Sequence, residues 1–380
     1  MKQRRFVLAL GLAIAGPACK RDQTPQPSPR SQSEASAQQA IAAAAKTTTS
    51  LEQAKQWLGE HATLVHVAGI GGELPDGESA WKSEYEDSLA LEVGLSQPYT
   101  AGEDASGSVY IADKNGQAIR KVTSDGRLIT WAGTGVAGNG ADEPGPAKDR
   151  ALAFPNGLVV RPDGTLYVLD RDNGKVRKVS SEGTLTTLAQ YGQKFESGRG
   201  LAVSDDEKTI FVANKENVLR WHQGEGFQVF AEGFSSVANL VLRSDGSLIV
   251  ADRGANLVFA VDASGHSKVL AGNGDTKPVA DGLAASALGL AGPRGVAQIT
   301  ENSWLVATQD GRDVFFFGAD QSGVRLIDGR EGKGLLPTAP GLLGPIRGIT
   351  LTPNGDLLIT HGNGGQVHRL ERKTARTTAG

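Results

Sequence analysis

The stretch PNGLVVRPDGTLYVLDRDNGKVRKV (residues 155–179) decides the fold. GLVV is short and apolar. RPDG is a turn, with Pro162 fixing φ and Gly164 accepting the left-handed backbone. TLYVLD is rich in β-formers and ends at Asp170, and Asn173-Gly174 forms the tip of a second turn. KVRKV alternates charged and apolar residues, so one face is wet and one is buried. TLTTLA follows the turn residues SEG as a fourth strand. The whole reads as one four-stranded antiparallel meander.

The same pattern recurs along the chain. The second strands align as VYIAD ending at Asp113, LYVLD at Asp170, IFVAN at Asn214, LIVAD at Asp252, WLVAT at Thr308 and LLITH at His361. The fourth strands echo one another as LITWAG, LTTLAQ, FQVFAEG, SKVLAG and VRLIDG. A unit of this size cannot bury both of its faces alone. Six copies in succession predict an all-β, six-bladed β-propeller of four-stranded antiparallel blades. TLVHVAG (63–69) resembles a fourth strand but precedes any first strand. It is expected to complete the last blade, with the C-terminal ARTTAG (375–380) as the rival for that place.

Composition agrees. The 380 residues include 50 glycines and are 39% hydrophobic, which fits a turn-rich β protein rather than a disordered chain. The 39 basic and 42 acidic side chains leave a net charge of −3, which gives no global pull toward nucleic acid.

The one cysteine, Cys19, closes the run MKQRRFVLALGLAIAGPAC. A basic n-region (Lys2, Arg4, Arg5) precedes an apolar stretch too short to span a membrane, and small residues lead to the cysteine. The run resembles a bacterial lipoprotein signal. The resemblance implies a signal peptide over 1–18, lipidation of Cys19, and a protein held in the cell envelope by that anchor alone. Lys20 stands where an Asp would hint at retention in the inner membrane, so the outer membrane is favoured. Residues 19–50 read as a disordered tether, 51–62 as a short helix or linker, and 63–380 as the propeller.

The run AGTGVAGNGADEPGPAKDRALAFPNGLVV (132–160), followed by RPDGTLYVLD (161–170), resembles an NHL repeat, whose unit carries D-x-x-G-x-L-Y-V-A-D at that place. The resemblance is specific for the fold and weak for activity, because such propellers serve very different tasks. PNGLVVRPDGTLYVLD is also similar to an element of the gluconolactonase (SMP-30) propellers. That similarity would make Asn156 a calcium ligand, yet the early E-G-P-x-W glutamate of that family has no counterpart in SQPYTAG (96–102). An NHL-type lyase would need several histidines around zinc, and His61, His66, His222, His266, His361 and His368 follow no common blade position. His361, at the end of a second strand, and Asn156 are therefore weak metal candidates, and no catalytic residue is assigned. No cofactor is expected, with calcium or zinc entering only under this metal-enzyme alternative.

The inter-blade loops 70–97, 134–154, 273–292 and 330–344 are long, and the turns of the opposite face are tight. Function is expected on the long-loop face. The residues aligned with Asn156 at the head of each first strand are Tyr99, Arg199, Ala238, Arg294 and Arg347. First strands line a propeller's channel, so Tyr99, Asn156, Arg199, Arg294 and Arg347 should ring its mouth and could hold an anion. The bland alternative is that these arginines bond nearby carbonyls or the aspartates at the second-strand ends, which are themselves expected to cap the following turn. The sequence reading is a non-catalytic, monomeric module that binds a protein or glycan partner, or a small anionic ligand, and no nucleic acid.

Overall fold

The computed structural model describes residues 49–59, 62–72, 74, 78–277, 282–362 and 365–372. The signal and almost all of the tether expected from sequence lie outside them. Six separate antiparallel sheets are arranged as consecutive blades, each built from sequential strands except the last, which takes its outer strand from the N-terminal side. In blade two these are Pro155–Val160, Leu166–Asp170, Lys175–Val179 and Thr184–Gln190. The first strands of adjacent blades touch, and those of blades six and one (Ile346–Leu351 and Pro98–Glu103) close the circle.

Closure uses the strand that precedes all the others. Thr63–Ala68 pairs antiparallel with Gln366–Glu371, the third strand of blade six, in the register Leu64↔Leu370 and His66↔His368. The fourth place of that blade is thus filled from the N-terminal side; the rival ARTTAG lies outside the described residues.

The sheets are held face to face by apolar clusters. Second strands are buried on both faces, as in Leu248–Asp252 and Leu357–His361, which explains their near-continuous apolar runs. Close approach at the axis needs glycine at two places in particular. A Cβ on Gly157 would sit 2.6 Å from the Arg199 carbonyl oxygen, and one on Gly348 would sit 2.5 Å from that of Tyr99. The glycine that follows Asn156 and the one that follows Arg347 are therefore packing requirements of the inner ring.

In five of the six blades the residue at the end of the second strand pins the loop that enters the blade, whereas Thr308 of blade five accepts the Asp313 N–H of the following turn at 3.1 Å. Asp113 accepts the Ser96 N–H at 2.5 Å, Asp170 that of Ala153 at 2.8 Å, Asn214 that of Glu196 at 2.6 Å, and His361 Nδ1 that of Gly344 at 3.0 Å. Asp252 accepts both Ser235 and Ser236 N–H at 2.7 Å. The expected turn cap is seen at Asp252, which also accepts from Gly254 and Ala255. Elsewhere the buried loop amides make the greater demand for an acceptor. Arg177, two residues into the third strand, meets Asp170 at 3.0 Å, and both are fully buried.

Helix α1, Ser50–Leu58, opens with a capping box in which Thr49 and Glu52 each accept the other's N–H. It packs Ala54, Trp57 and Leu58 into the cluster of blades five and six, and Ser50 Oγ accepts the Gly318 N–H at 2.9 Å.

Candidate functional site

The mouth residues come together because a backbone irregularity repeats. The ladder between first and second strands skips one residue at the same point in five blades. Pro98 pairs with Asp113 and Thr100 with Ala112, which leaves Tyr99 as the extra residue; the same shift isolates Asn156, Ala238, Arg294 and Arg347. Such a bulge re-aims a side chain, here toward the channel mouth. In blade three the strand starts only at Leu201, and Arg199 stands just before it.

The site is a cavity of about 180 Å³ whose lining includes Tyr99, Asn156, Arg199 and Arg294. At roughly 30 Å³ per water it has room for a handful of waters or one compact polar group. Arg347 is not in the lining but lies 5.5 Å from the Tyr99 ring centroid. Three more cations line the cavity that the alignment of first strands missed: Lys114, Arg171 and Arg253. Each directly follows the aligned acid of its second strand (Asp113, Asp170, Asp252), so the repeat itself carried the signal. Below the mouth, a second cavity of about 240 Å³ is mainly apolar, with Leu158, Leu240, Val296 and Ile349 among its walls. Arg199 borders both cavities.

Charge in the mouth is one-sided. No carboxylate is among the described residues that line it. Arg199 and Arg294 are 7% and 6% exposed, and their Nε atoms have no hydrogen-bond partner. Burial first, then the neighbouring Arg199, push Arg294 down to about 7. Burial likewise lowers Arg199, to about 10. A guanidinium holds its proton in proteins, so these shifts express an unmet demand for negative charge. For Arg199 and Arg294 the alternative of bonding to the second-strand aspartates does not hold: Asp113 and Asp170 are engaged by loop amides and by Arg120 and Arg177.

Asn156 donates Nδ2–H to the Gly198 carbonyl at 2.9 Å, and its Oδ1 is buried without a partner. One amide oxygen among cations does not make the oxygen cage that calcium requires. His361 is occupied on both ring nitrogens, by the Gly344 N–H and, at 2.7 Å, by His368 Nδ1. Neither weak metal candidate fits a metal ion, and among the described residues no group of three His, Cys, Asp or Glu is arranged to hold one.

The histidines are nonetheless partly gathered. His66 from the closing strand stacks on His368 with centroids 4.8 Å apart, and His368 contacts His361. Burial and then the neighbouring histidines lower His361 to about 3; burial and then His66 lower His368 to about 4. Both are therefore neutral when folded and bind protons on unfolding below about pH 6.5, so their contribution to stability is lost as pH falls from there toward 4. Asp113, raised to about 6 chiefly by burial, and Asp313, raised to about 7 chiefly by burial, act in the opposite direction over that range. His368→Gln isolates the histidine share. Urea midpoints should show it losing roughly 1–2 kcal/mol less than wild type between pH 7 and pH 4.5; equal losses would refute this.

No protein-family model matches the chain, so the NHL resemblance rests on the residues quoted above. Teneurin-3 of Mus musculus is 31% identical over 139 residues, which is 33% of this chain and 5% of that protein. The chain thus spans a small fraction of its curated relative. Among solved structures, a Bacteroides thetaiotaomicron protein of unknown function superposes with a TM-score of 0.62 at 14% identity, over 81% of this chain and 75% of its own. An auxiliary nutrient binding protein of the same organism superposes with a TM-score of 0.58 at 10% identity, over 82% and 77%. At these identities the likeness is one of fold.

Proposed function

We propose that this protein is a non-catalytic binding propeller of the bacterial cell envelope, anchored through lipidated Cys19, which captures an anionic group of its partner at the arginine-ringed mouth on the long-loop face. The partner is a protein, a glycan or a small acid. One observation carries the reading: Arg199 and Arg294 are buried, lack a partner at Nε and line a cavity with no carboxylate. Buried positive charge in excess of its counterions is costly, and an oxyanion relieves it with charge-assisted hydrogen bonds. The same cations repel calcium or zinc, which weighs against the metal-enzyme alternative. A nutrient-binding role like that ascribed to the Bacteroides protein is compatible with such a site. Titration calorimetry of the full chain with sulfate tests it: saturable one-to-one binding is expected, and no heat beyond dilution would refute it.

A further inference from the structure

The cations of the mouth converge on one side chain. Tyr99 is 6% exposed. Arg199 stands 4.2 Å from its ring centroid, Lys114 5.3 Å and Arg294 5.9 Å, with Arg347 at 5.5 Å completing a set of four. They arrive from the turn after the second strand of blade one, the loop entering blade three, and the first strands of blades five and six. Blades two and four present uncharged Asn156 and Ala238 at the same level, and Arg171 and Arg253 line the cavity from their turns. Among the described lining residues, Tyr99 carries the one group that becomes negative near neutral pH. Burial pushes it up, but Arg199, Lys114, Arg347 and Arg294 together outweigh burial and bring it down to about 7. Tyr167, hydrogen-bonded to Glu207 rather than ringed by cations, is pushed the other way, to about 12, mainly by burial.

Resting on the anion-site reading above, we propose that Tyr99 is the site's built-in counter-anion, and that an incoming oxyanion takes over its charge, so that ligand capture is accompanied by uptake of one proton at the phenol oxygen. The phenolate gains H⁺ from solvent, one O–H bond forms, and the oxyanion takes the phenolate's place as counterion to the guanidinium groups; no other bond changes. The ligand class is a compact oxyanion that is fully ionised near neutrality, whether free or as the head of a larger molecule. Binding and protonation are reciprocal, so affinity rises as pH falls through the phenol's titration.

Sulfate is the suitable probe, because it does not titrate near neutral pH. Calorimetry of the full chain in buffers of different ionisation heat, from about pH 6 to about pH 9, reads the protons taken up. For wild type, sulfate affinity should fall by up to about tenfold per pH unit on the alkaline side, with uptake approaching one proton and a loss of phenolate absorbance on adding sulfate. Tyr99→Phe removes only the hydroxyl. It should bind sulfate with an affinity that barely changes over the same range. Wild-type binding without proton uptake, or the same pH slope in Tyr99→Phe, would overturn the inference and leave the anion site standing. Absence of sulfate binding at every pH would overturn both. If Tyr99→Phe does not fold, the wild-type proton count and difference spectrum decide alone.

Discussion

Arg294→Met should cost the protein its oxyanion binding and yet make the unliganded fold more stable. Arg294 lies 6% exposed on a bulge, among Arg199, Arg347 and Tyr99, with no carboxylate among the described residues that line the mouth. In the empty site this charge pays for desolvation and for repulsion by Arg199. Methionine keeps much of the aliphatic stem and removes both costs, so the urea midpoint should rise by an amount equivalent to roughly 1–3 kcal/mol. The guanidinium is also one of the two buried guanidinium groups that line the mouth. Its loss should weaken sulfate binding by about a hundredfold, close to 2.8 kcal/mol. A variant that is less stable and binds as before would show that Arg294 only packs. The opposed signs separate this outcome from general damage, which lowers both quantities together.

The second large effect concerns the closing strand. A chain beginning at Gly69 lacks Thr63–Ala68, so Gln366–Glu371 becomes an open edge. Leu370, Val367 and Leu357, all fully buried, lose cover from that side. Uncovering several such side chains at roughly 1.5–3 kcal/mol each approaches the whole stability of a typical domain. The ring is expected to lose its cooperative melt, and the open edge to promote association. A chain beginning at Ala62 separates this effect from the loss of helix α1. It keeps the strand, and should still melt cooperatively at a moderately lower temperature. Similar melts for the two truncations would contradict the closure account.

Much of this was legible in the sequence because the repeat constrains it. Turns such as Pro162-Asp163-Gly164 and the aligned second-strand ends set the blades, and the orphan strand TLVHVAG implied where the ring closes. The mouth residues were legible for the same reason, since a bulge that recurs at one point of the unit puts them at one aligned position. The bulge itself left no pattern that separates it from a regular strand start. Lys114, Arg171 and Arg253 were visible in the alignment as basic residues after the acid, but their direction depends on turn geometry. His66 and His368 could not be joined from sequence. Only the ring closure brings the two together, and no shared blade position marks them.

Crystals of the full chain soaked in selenate give the most direct test of the central claim. The account predicts an anomalous selenium peak in the channel mouth within hydrogen-bond reach of Arg199 and Arg294. Peaks confined to exposed lysines, with the mouth left without one, would contradict it.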